Sequence, residues 1–319
     1  MHPNLFWYDQ AGLCRTLREV RPDIVDLHEE PYSLAVALAL RAIRRETPQA
    51  KLCIYTAQNL PKRYPPPFNW VEQRALKAAA AAYPCSTEAC ERLQALEFRG
   101  PIHVIPLGVT VPSTRTREPG RPRVGFVGRL EPYKGAMIAL RAFAQVSKTV
   151  DASFEVIGSG SEEQALRRYA MQAELGNRVE FAGPLPQDVT LTRIARLDVL
   201  LIPSLTTSNW KEQFGRVATQ AMAATTAIVA SDSGSLREVV ADGGLLVPEG
   251  DVEAFATELG RLLVSPDLIT EMASRGRERV KRALSWECVV DRVDEMYRGA
   301  MNYSPARLRV QPQTQCIPF

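Results

Sequence analysis

The sequence predicts an α/β chain organised as two doubly wound parallel sheets. Short apolar, β-rich runs alternate with longer helix-like segments along the chain, which is the pattern of repeated βαβ units. In the second half those runs are unbroken stretches of Val, Ile and Leu, as strands covered on both faces require. A length of 319 residues also suggests more than one core, at ~100–200 residues per domain.

Taken in order, residues 23–27, 51–56, 82–85 and 102–105 read as strands of the first domain. Residues 33–46 and the alanine-rich 71–81 read as helices between them. Residues 113–122 contain no apolar side chain and several turn formers, which places a domain boundary near Glu118. The arginines Arg115, Arg117 and Arg121 of that stretch fit a solvated linker, or alternatively phosphate contacts. In the second domain the strands fall at 124–128, 154–157, 179–181, 199–202, 227–230 and 245–247. The helices there fall at about 137–149, 162–174, 214–224 and 252–263. The resulting layout is a first domain over 1–118, a second over 119–286, a helix over 287–303 packing back on the first domain, and a disordered tail over 304–319.

Composition excludes several function classes. Lys and Arg number 39 against 36 Asp and Glu, for a net charge of +3, too even a balance for a dedicated nucleic-acid binder. No apolar run reaches the ~18 residues of a membrane span, and residues 1–4 do not resemble a signal peptide. The six cysteines form no Cys-x-x-Cys pair and read as reduced thiols of a cytoplasmic protein, while three histidines argue against a multi-histidine metal site.

Three strand-to-helix junctions of the second domain fall at the carboxyl ends of strands, where open α/β sheets bind ligands. Residues 128–135 set Arg129 and Lys134 five residues apart between Gly128 and Gly135. A guanidinium fork and an ammonium point charge suit a diphosphate; exposed charges on a surface turn are the alternative. Gly158 and Gly160 lack the third glycine of a dinucleotide fingerprint and read as a tight turn. Glu212, Phe214 and Gly215 lead into a helix whose first amides attract anions. A carboxylate there fits sugar hydroxyls, or else simply complements the helix dipole. In the first domain His28, beside Glu29 and Glu30, and the amides Gln58 and Asn59 end two strands and are candidates to line a cleft; His28 equally fits a structural hydrogen-bond partner. The basic, proline-rich loop 62–68 fits either a packed loop or contact with an anionic lipid headgroup.

In this order and spacing the motifs resemble a retaining glycosyltransferase of family 4, the group with the two-domain GT-B fold. The resemblance runs from about Asp23 to Tyr297 and is dense in the second half. It rests on 106–109, Gly128 and Arg129 with Lys134 and Gly135, 154–160, 179–183, Pro203 and Ser204, 212–222, Glu238 and 244–248. It implies two Rossmann-like domains facing a cleft, with Arg129 and Lys134 binding the donor diphosphate and stabilising its departure without a metal or cofactor. It further implies that Glu212 binds the donor sugar, that the Phe214 and Gly215 amides hold diphosphate or sugar, and that the backbone at Gly183 and Leu185 meets the base. The implied partners are a nucleotide sugar and a glycan or lipid-linked acceptor, with peripheral membrane contact and no nucleic acid.

The departures are specific. The second Glu of the family's Glu-x7-Glu pair is Gln220, expected on the same helical stripe and expected to weaken the grip on ribose. Gln58 stands where a histidine is frequent, Thr110 where Asp is usual, and Ser235 follows Gly234 where a second glycine is common. Members of the family open with a strand, a glycine-rich loop and a helix that this sequence lacks, so the first domain is expected to be incomplete, with an unpaired apolar sheet edge. Two other readings are a non-catalytic nucleotide-sugar-binding homologue and a GT-B epimerase acting on the nucleotide sugar.

Overall fold

The structure, a computed structural model, describes residues 9–112, 120–303, 316 and 319. The expected boundary at Glu118, and Arg115 and Arg117 with it, lie outside the described residues. The chain divides into two compact units, Met1–Pro106 with Val289–Phe319, and Leu107–Cys288.

The first unit runs α1 (Gln10–Val20), β1 (Ile24–Leu27), α2 (Leu34–Glu46), β2 (Lys51–Thr56), α3 (Phe68–Ala78), β3 (Ala79–Pro84) and α4 (Thr87–Ala95). Ser33 and Ser86 start α2 and α4 by accepting the Val36 and Ala89 N–H groups on their hydroxyls, each such cap contributing ~1 kcal/mol. The strands form one parallel sheet in the order β1-β2-β3, over a core that includes Val36, Leu40, Ile54 and Leu93.

Two expectations change here. The alanine run read as helix through Ala81 leaves the helix at Ala78 and continues as β3. All six residues of β3 are buried; their position against β2 and the small size of alanine outweigh its helix preference. The run at 102–105 is not a full strand. His103 and Ile105 donate to the Ala82 and Pro84 carbonyls at 2.9 and 3.0 Å, but only Ala82 and Ile102 bridge. Pro84 has no N–H to donate back, and Pro101 and Pro106 bracket the run.

The outer edge of β1 pairs with no strand among the described residues, and its four residues are half-buried. The cysteine expectation is corrected at one pair, since Cys90 on α4 is bonded to Cys316. The two lie 226 residues apart, beyond any local spacing rule. Phe319 packs with Cys316 against the first unit's core; the rest of the tail read as disordered lies outside the described residues.

The second unit runs β4 (Arg123–Val127), α5 (Ala136–Val146), β5 (Ser153–Ile157), α6 (Glu163–Gln172), β6 (Val179–Gly183), α7 (Gln187–Ile194), β7 (Val199–Ile202), α8 (Arg216–Ala223), β8 (Ala227–Ser231), α9 (Leu236–Val240), β9 (Leu245–Val247), α10 (Val252–Leu263) and α11 (Pro266–Ala283). Its strands match the runs read from the sequence to within two residues at either end. They form one parallel sheet, β6-β5-β4-β7-β8-β9, and the core includes the wholly buried Leu140, Phe143, Phe255 and Leu259. Each such side chain contributes ~1.5–3 kcal/mol relative to an exposed one.

The last helix, α12 (Trp286–Asn302), belongs to the first unit from Val289 onward. Within that unit the Tyr297 hydroxyl donates to Asp26 Oδ2 at 2.7 Å, Arg292 donates to the Val104 carbonyl at 3.2 Å, and Lys51 donates to the Tyr303 carbonyl at 3.1 Å. No helix among the described residues is long and apolar enough to cross a membrane.

Candidate functional site

Counted in chain order, the strands of the second sheet lie 3-2-1-4-5-6. The chain moves outward from β4 in one direction and then returns to β7 on the other side, so the loops after β4 and β7 diverge and leave a crevice at the strand ends. The motif carrying Arg129 and Lys134 follows the first of these strands, and the motif carrying Glu212 follows the second.

Close backbone approach helps to bring these loops together. Gly135 has φ of 71° and a Cβ built there would stand 2.0 Å from the Pro203 carbonyl oxygen, so no larger residue fits. The Leu205 N–H donates to the Tyr133 carbonyl at 2.8 Å. On this frame Lys134 Nζ sits 2.7 Å from Glu212 Oε2, and the Ser204 hydroxyl donates to the same oxygen at 3.0 Å. Glu212 is only 8% exposed. A buried carboxylate without partners would be costly, and Lys134 and Ser204 remove that cost. Arg129 is exposed, with its guanidinium 5.3 Å from the Tyr133 ring centre.

The backbone of Glu212 is fixed as well. Its carbonyl accepts from the Ser235 N–H at 3.1 Å, and Gly234 (φ 52°) allows this, because a Cβ there would lie 2.3 Å from that carbonyl. Phe214 is buried and Gly215, at φ 82°, caps α8. A Cβ on Gly215 would meet Leu236 at 2.5 Å. The stripe argument for Gln220 needs correcting. Glu212 precedes α8, which begins at Arg216, so Gln220 is one turn into a helix that does not contain Glu212. Gln220 is half-buried.

Gly128 follows β4 and donates to the Ile157 carbonyl at 3.0 Å. A Cβ on Gly158 would stand 1.8 Å from the Gly128 carbonyl and one on Gly160 2.5 Å from that of Leu130. Those two glycines thus form a structural turn. Gly183 ends β6 at φ 71°, its carbonyl accepting from the Gly158 N–H at 2.9 Å. Leu185 is half-buried and its carbonyl accepts from the Thr190 hydroxyl at 3.3 Å. Beside β7, Glu249 accepts from the Thr206 N–H and hydroxyl, both at 2.7 Å. Burial pushes the Glu249 carboxyl up, but these bonds and the nearby Lys211 outweigh it and hold the group below the usual carboxylate range.

In the first unit the marked residues are each held by neighbouring side chains of that unit. His28 is exposed and stacks on Tyr55 with ring centres 4.0 Å apart. Its Nδ1 lies 3.4 Å from the Tyr83 hydroxyl, which donates to Asp26. Gln58 donates to the Tyr64 hydroxyl at 2.7 Å and accepts from the Leu60 N–H at 3.0 Å. Asn59 donates to Glu88 at 2.9 Å. Glu30 accepts from the Thr56 hydroxyl at 2.7 Å and the Ala57 N–H at 2.8 Å. Burial pushes its carboxyl up, and these two bonds offset only part of that shift. Burial likewise raises the Tyr83 hydroxyl, with the adjacent Asp26 adding to the effect.

The structure therefore joins Lys134 with Glu212 and sets Arg129, Phe214 and Gly215 on the loops around them. His28, Gln58 and Asn59 belong to the other unit. Sequence reasoning gave no role to Ser204, Tyr133, Trp210 or Thr206. Ser204 was visible only as part of the family resemblance, and Tyr133, Trp210 and Thr206 only by position, in the loops that follow β4 and β7.

The fold and site define a Rossmann-like α/β protein with a charged, glycine-built crevice at the switch point of its larger sheet. Comparison with known proteins gives the family. Residues 113–279 match glycosyl transferases group 1 and residues 1–111 match glycosyltransferase family 4. The chain belongs to the glycosyl transferases group 1 family.

Among curated relatives, it is 34% identical over 186 residues to a D-inositol 3-phosphate glycosyltransferase of Corynebacterium urealyticum, covering 55% of this chain and 42% of that one. It is 34% identical over 217 residues to a phosphatidyl-myo-inositol mannosyltransferase of Mycolicibacterium smegmatis, covering 65% and 53%. The chain thus spans about half the length of the curated relatives it matches. Among solved structures it resembles Anabaena Alr3699/HepE in complex with UDP, with a TM-score of 0.74 at 20% identity over 91% of this chain and 81% of that one. It also resembles the sucrose-phosphate synthase of Thermosynechococcus elongatus, with a TM-score of 0.71 at 22% identity over 91% and 76%. These likenesses bear out the GT-B fold class that the sequence resemblance implied.

Proposed function

We propose that the chain is a glycosyltransferase that moves a sugar from a nucleotide-diphospho-sugar to an acceptor, with retention and without a metal. The observation that carries the proposal is the meeting of Lys134 with Glu212 at 2.7 Å at the switch point. A cation and a carboxylate side by side suit a ligand carrying a diphosphate next to a hydroxyl-rich ring. In the proposed roles Arg129 and Lys134 neutralise the charge that develops on the departing diphosphate. Glu212 accepts hydrogen bonds from the sugar, and the amides at Phe214 and Gly215 face the diphosphate or the sugar at the start of α8. Gly183 and Leu185 border the base, and Gln220 the ribose. Two cations supply the charge that a divalent ion would otherwise bring, which supports the metal-independent reading.

The acceptor is proposed to be a glycan or lipid-linked molecule, a reading supported by the inositol-phosphate and phosphatidylinositol names of the relatives. Peripheral membrane contact belongs to the same proposal. Trp70 on α3 is 53% exposed, and Arg63, Arg74 and Lys77 around it in sequence are exposed too. An exposed indole among cations fits an anionic bilayer surface.

The test is to incubate the purified chain with UDP- and GDP-linked sugars, with and without inositol phosphate or phosphatidylinositol vesicles as acceptor, and to measure donor binding and nucleoside diphosphate release. Release that requires Glu212 supports a transferase. Binding without release supports a non-catalytic nucleotide-sugar binder, a reading that Gln220, in place of the family's second Glu, favours. Absence of both sinks the proposal.

A further inference from the structure

The loop after β4 carries an aromatic residue between its two cations, and the loop after β7 carries another. Tyr133 and Trp210 have ring centres 4.5 Å apart at 34°. Arg129 lies over Tyr133 at 5.3 Å and Lys134 Nζ over Trp210 at 4.5 Å. The two cations of the proposed donor site are thus each seated on one face of a single aromatic pair. The pair is itself anchored. The Tyr133 carbonyl accepts from the Leu205 N–H at 2.8 Å, and the Trp210 carbonyl accepts from the Thr207 N–H at 2.8 Å. The Thr207 hydroxyl in turn accepts from the Trp210 N–H at 2.9 Å, closing 207–210 into a compact turn.

An aromatic seat differs from an ion pair in what it leaves behind. A carboxylate partner cancels a cation's charge, and an incoming phosphate must displace it. A ring face attracts the cation through its quadrupole, fixes its position and keeps its full charge available to an anion. Lys134 has both kinds of partner, the Trp210 ring and the Glu212 carboxylate. A phosphate that draws the ammonium away from Glu212 would free that carboxylate to accept sugar hydroxyls. The ring keeps the ammonium on its arc during the exchange.

We propose that Tyr133 and Trp210 are positioning residues that hold Arg129 and Lys134 in register for a diphosphate, with Trp210 guiding Lys134 from Glu212 to the phosphate. This rests on the donor-site reading above. It assigns a role to two uncharged side chains in the loops 128–135 and 203–212.

The test uses the full chain and calorimetric titration with UDP, GDP and uridine. Trp210→Leu and Tyr133→Leu are expected to weaken UDP or GDP binding about fivefold each, while uridine binding stays unchanged. Trp210→Phe, which keeps a ring, is expected to restore affinity to within about twofold of wild type. In a Lys134→Ala background Trp210→Leu should add no further loss, because the residue acts through the lysine. Equal losses for UDP and uridine, or an undiminished loss in the Lys134→Ala background, overturn the proposal. An independent measurement needs no destabilising change. Saturating UDP should shift the tryptophan emission of the wild-type chain, and Trp210→Phe should abolish that shift; a shift retained in Trp210→Phe overturns the guiding role. UDP binding that falls with Lys134→Ala but not with Trp210→Leu overturns this inference alone. No UDP or GDP binding by the wild-type chain overturns the donor-site reading and this inference with it.

Discussion

The two units place polar side chains at the carboxyl ends of parallel strands, yet they use them in opposite ways. In the second unit the loops are drawn together by glycines. Gly135, Gly158 and Gly234 each have positive φ and stand where a Cβ would run into a neighbouring carbonyl. The backbone draws the loops together, Arg129 lies exposed over the Tyr133 ring, and Lys134 rests between the Trp210 ring and Glu212. In the first unit side chains do the positioning, and they satisfy one another: Gln58 with Tyr64, Asn59 with Glu88, Glu30 with Thr56, Tyr83 with Asp26. A site that will receive a ligand needs groups held in place by something other than their own binding atoms. By that criterion Arg129 and Lys134, which rest on ring faces, suit the proposed donor site, whereas the amides Gln58 and Asn59, bonded to Tyr64 and Glu88, suit the holding of a loop.

The comparison breaks most visibly at Glu212. Glu212→Ala is expected to lower any sugar transfer or donor hydrolysis at least about a hundredfold, the scale of losing a transition-state contact in a shielded site. Steady-state rates with the competent nucleotide sugar check this, and a variant within tenfold of wild type would remove Glu212 from the site. Next in size, Arg129→Ala and Lys134→Ala should each weaken UDP or GDP binding by about tenfold or more, ~1.4 kcal/mol. Gln58→Ala, by contrast, should leave nucleotide affinity within about twofold while lowering the unfolding temperature, since it loses two partly buried hydrogen bonds. If Gln58→Ala cost as much nucleotide affinity as Lys134→Ala, the contrast between the units would fail.

A smaller effect is expected at Gln220. Gln220→Glu restores a carboxylate one turn into α8 and should tighten binding of UDP or GDP by about three- to fivefold, the gain of a charge-assisted hydrogen bond to a ribose hydroxyl at a partly exposed position. Calorimetry showing no gain, or a loss, would take Gln220 away from the ribose.

How much of this was legible follows the same division. The strands of the second sheet were readable because unbroken runs such as 199–202 and 227–230 have few other uses. Arg129, Lys134 and Glu212 were readable as charges at strand ends. What the sequence hid was long-range. Lys134 and Glu212 are 78 residues apart, and their contact depends on strand order and on the approach of Gly135 to Pro203, which no local pattern encodes. The aromatic seat was hidden for the same reason, Tyr133 and Trp210 belonging to different loops. The alanines 79–81 were misread because propensity is local and burial is not. Cys90 and Cys316, taken separately as thiols, needed the fold to meet.

The last prediction probes the first unit through its own chemistry. Glu30 is held above the usual carboxylate value mainly by burial, with the Ala57 amide and the Thr56 hydroxyl pulling the other way. A carboxyl raised in the folded state is ionised more easily in the unfolded chain. Its contribution to stability is therefore fully present below the ordinary carboxylate range and is lost as pH rises toward the raised folded value. Glu30→Gln cannot ionise and should lack this loss, while its amide can still accept from the Ala57 N–H. The unfolding temperature of Glu30→Gln relative to wild type should accordingly become more favourable as pH rises from about 4 to about 8. Arg92 and Glu29 also act on this carboxyl, so the informative quantity is the difference between the two proteins across pH, in which their own titrations largely cancel. A difference that stays flat, or that falls as pH rises, would mean that Glu30 is charged at no cost. The first unit would then hold an open anionic site after all, and its contrast with the second unit would narrow.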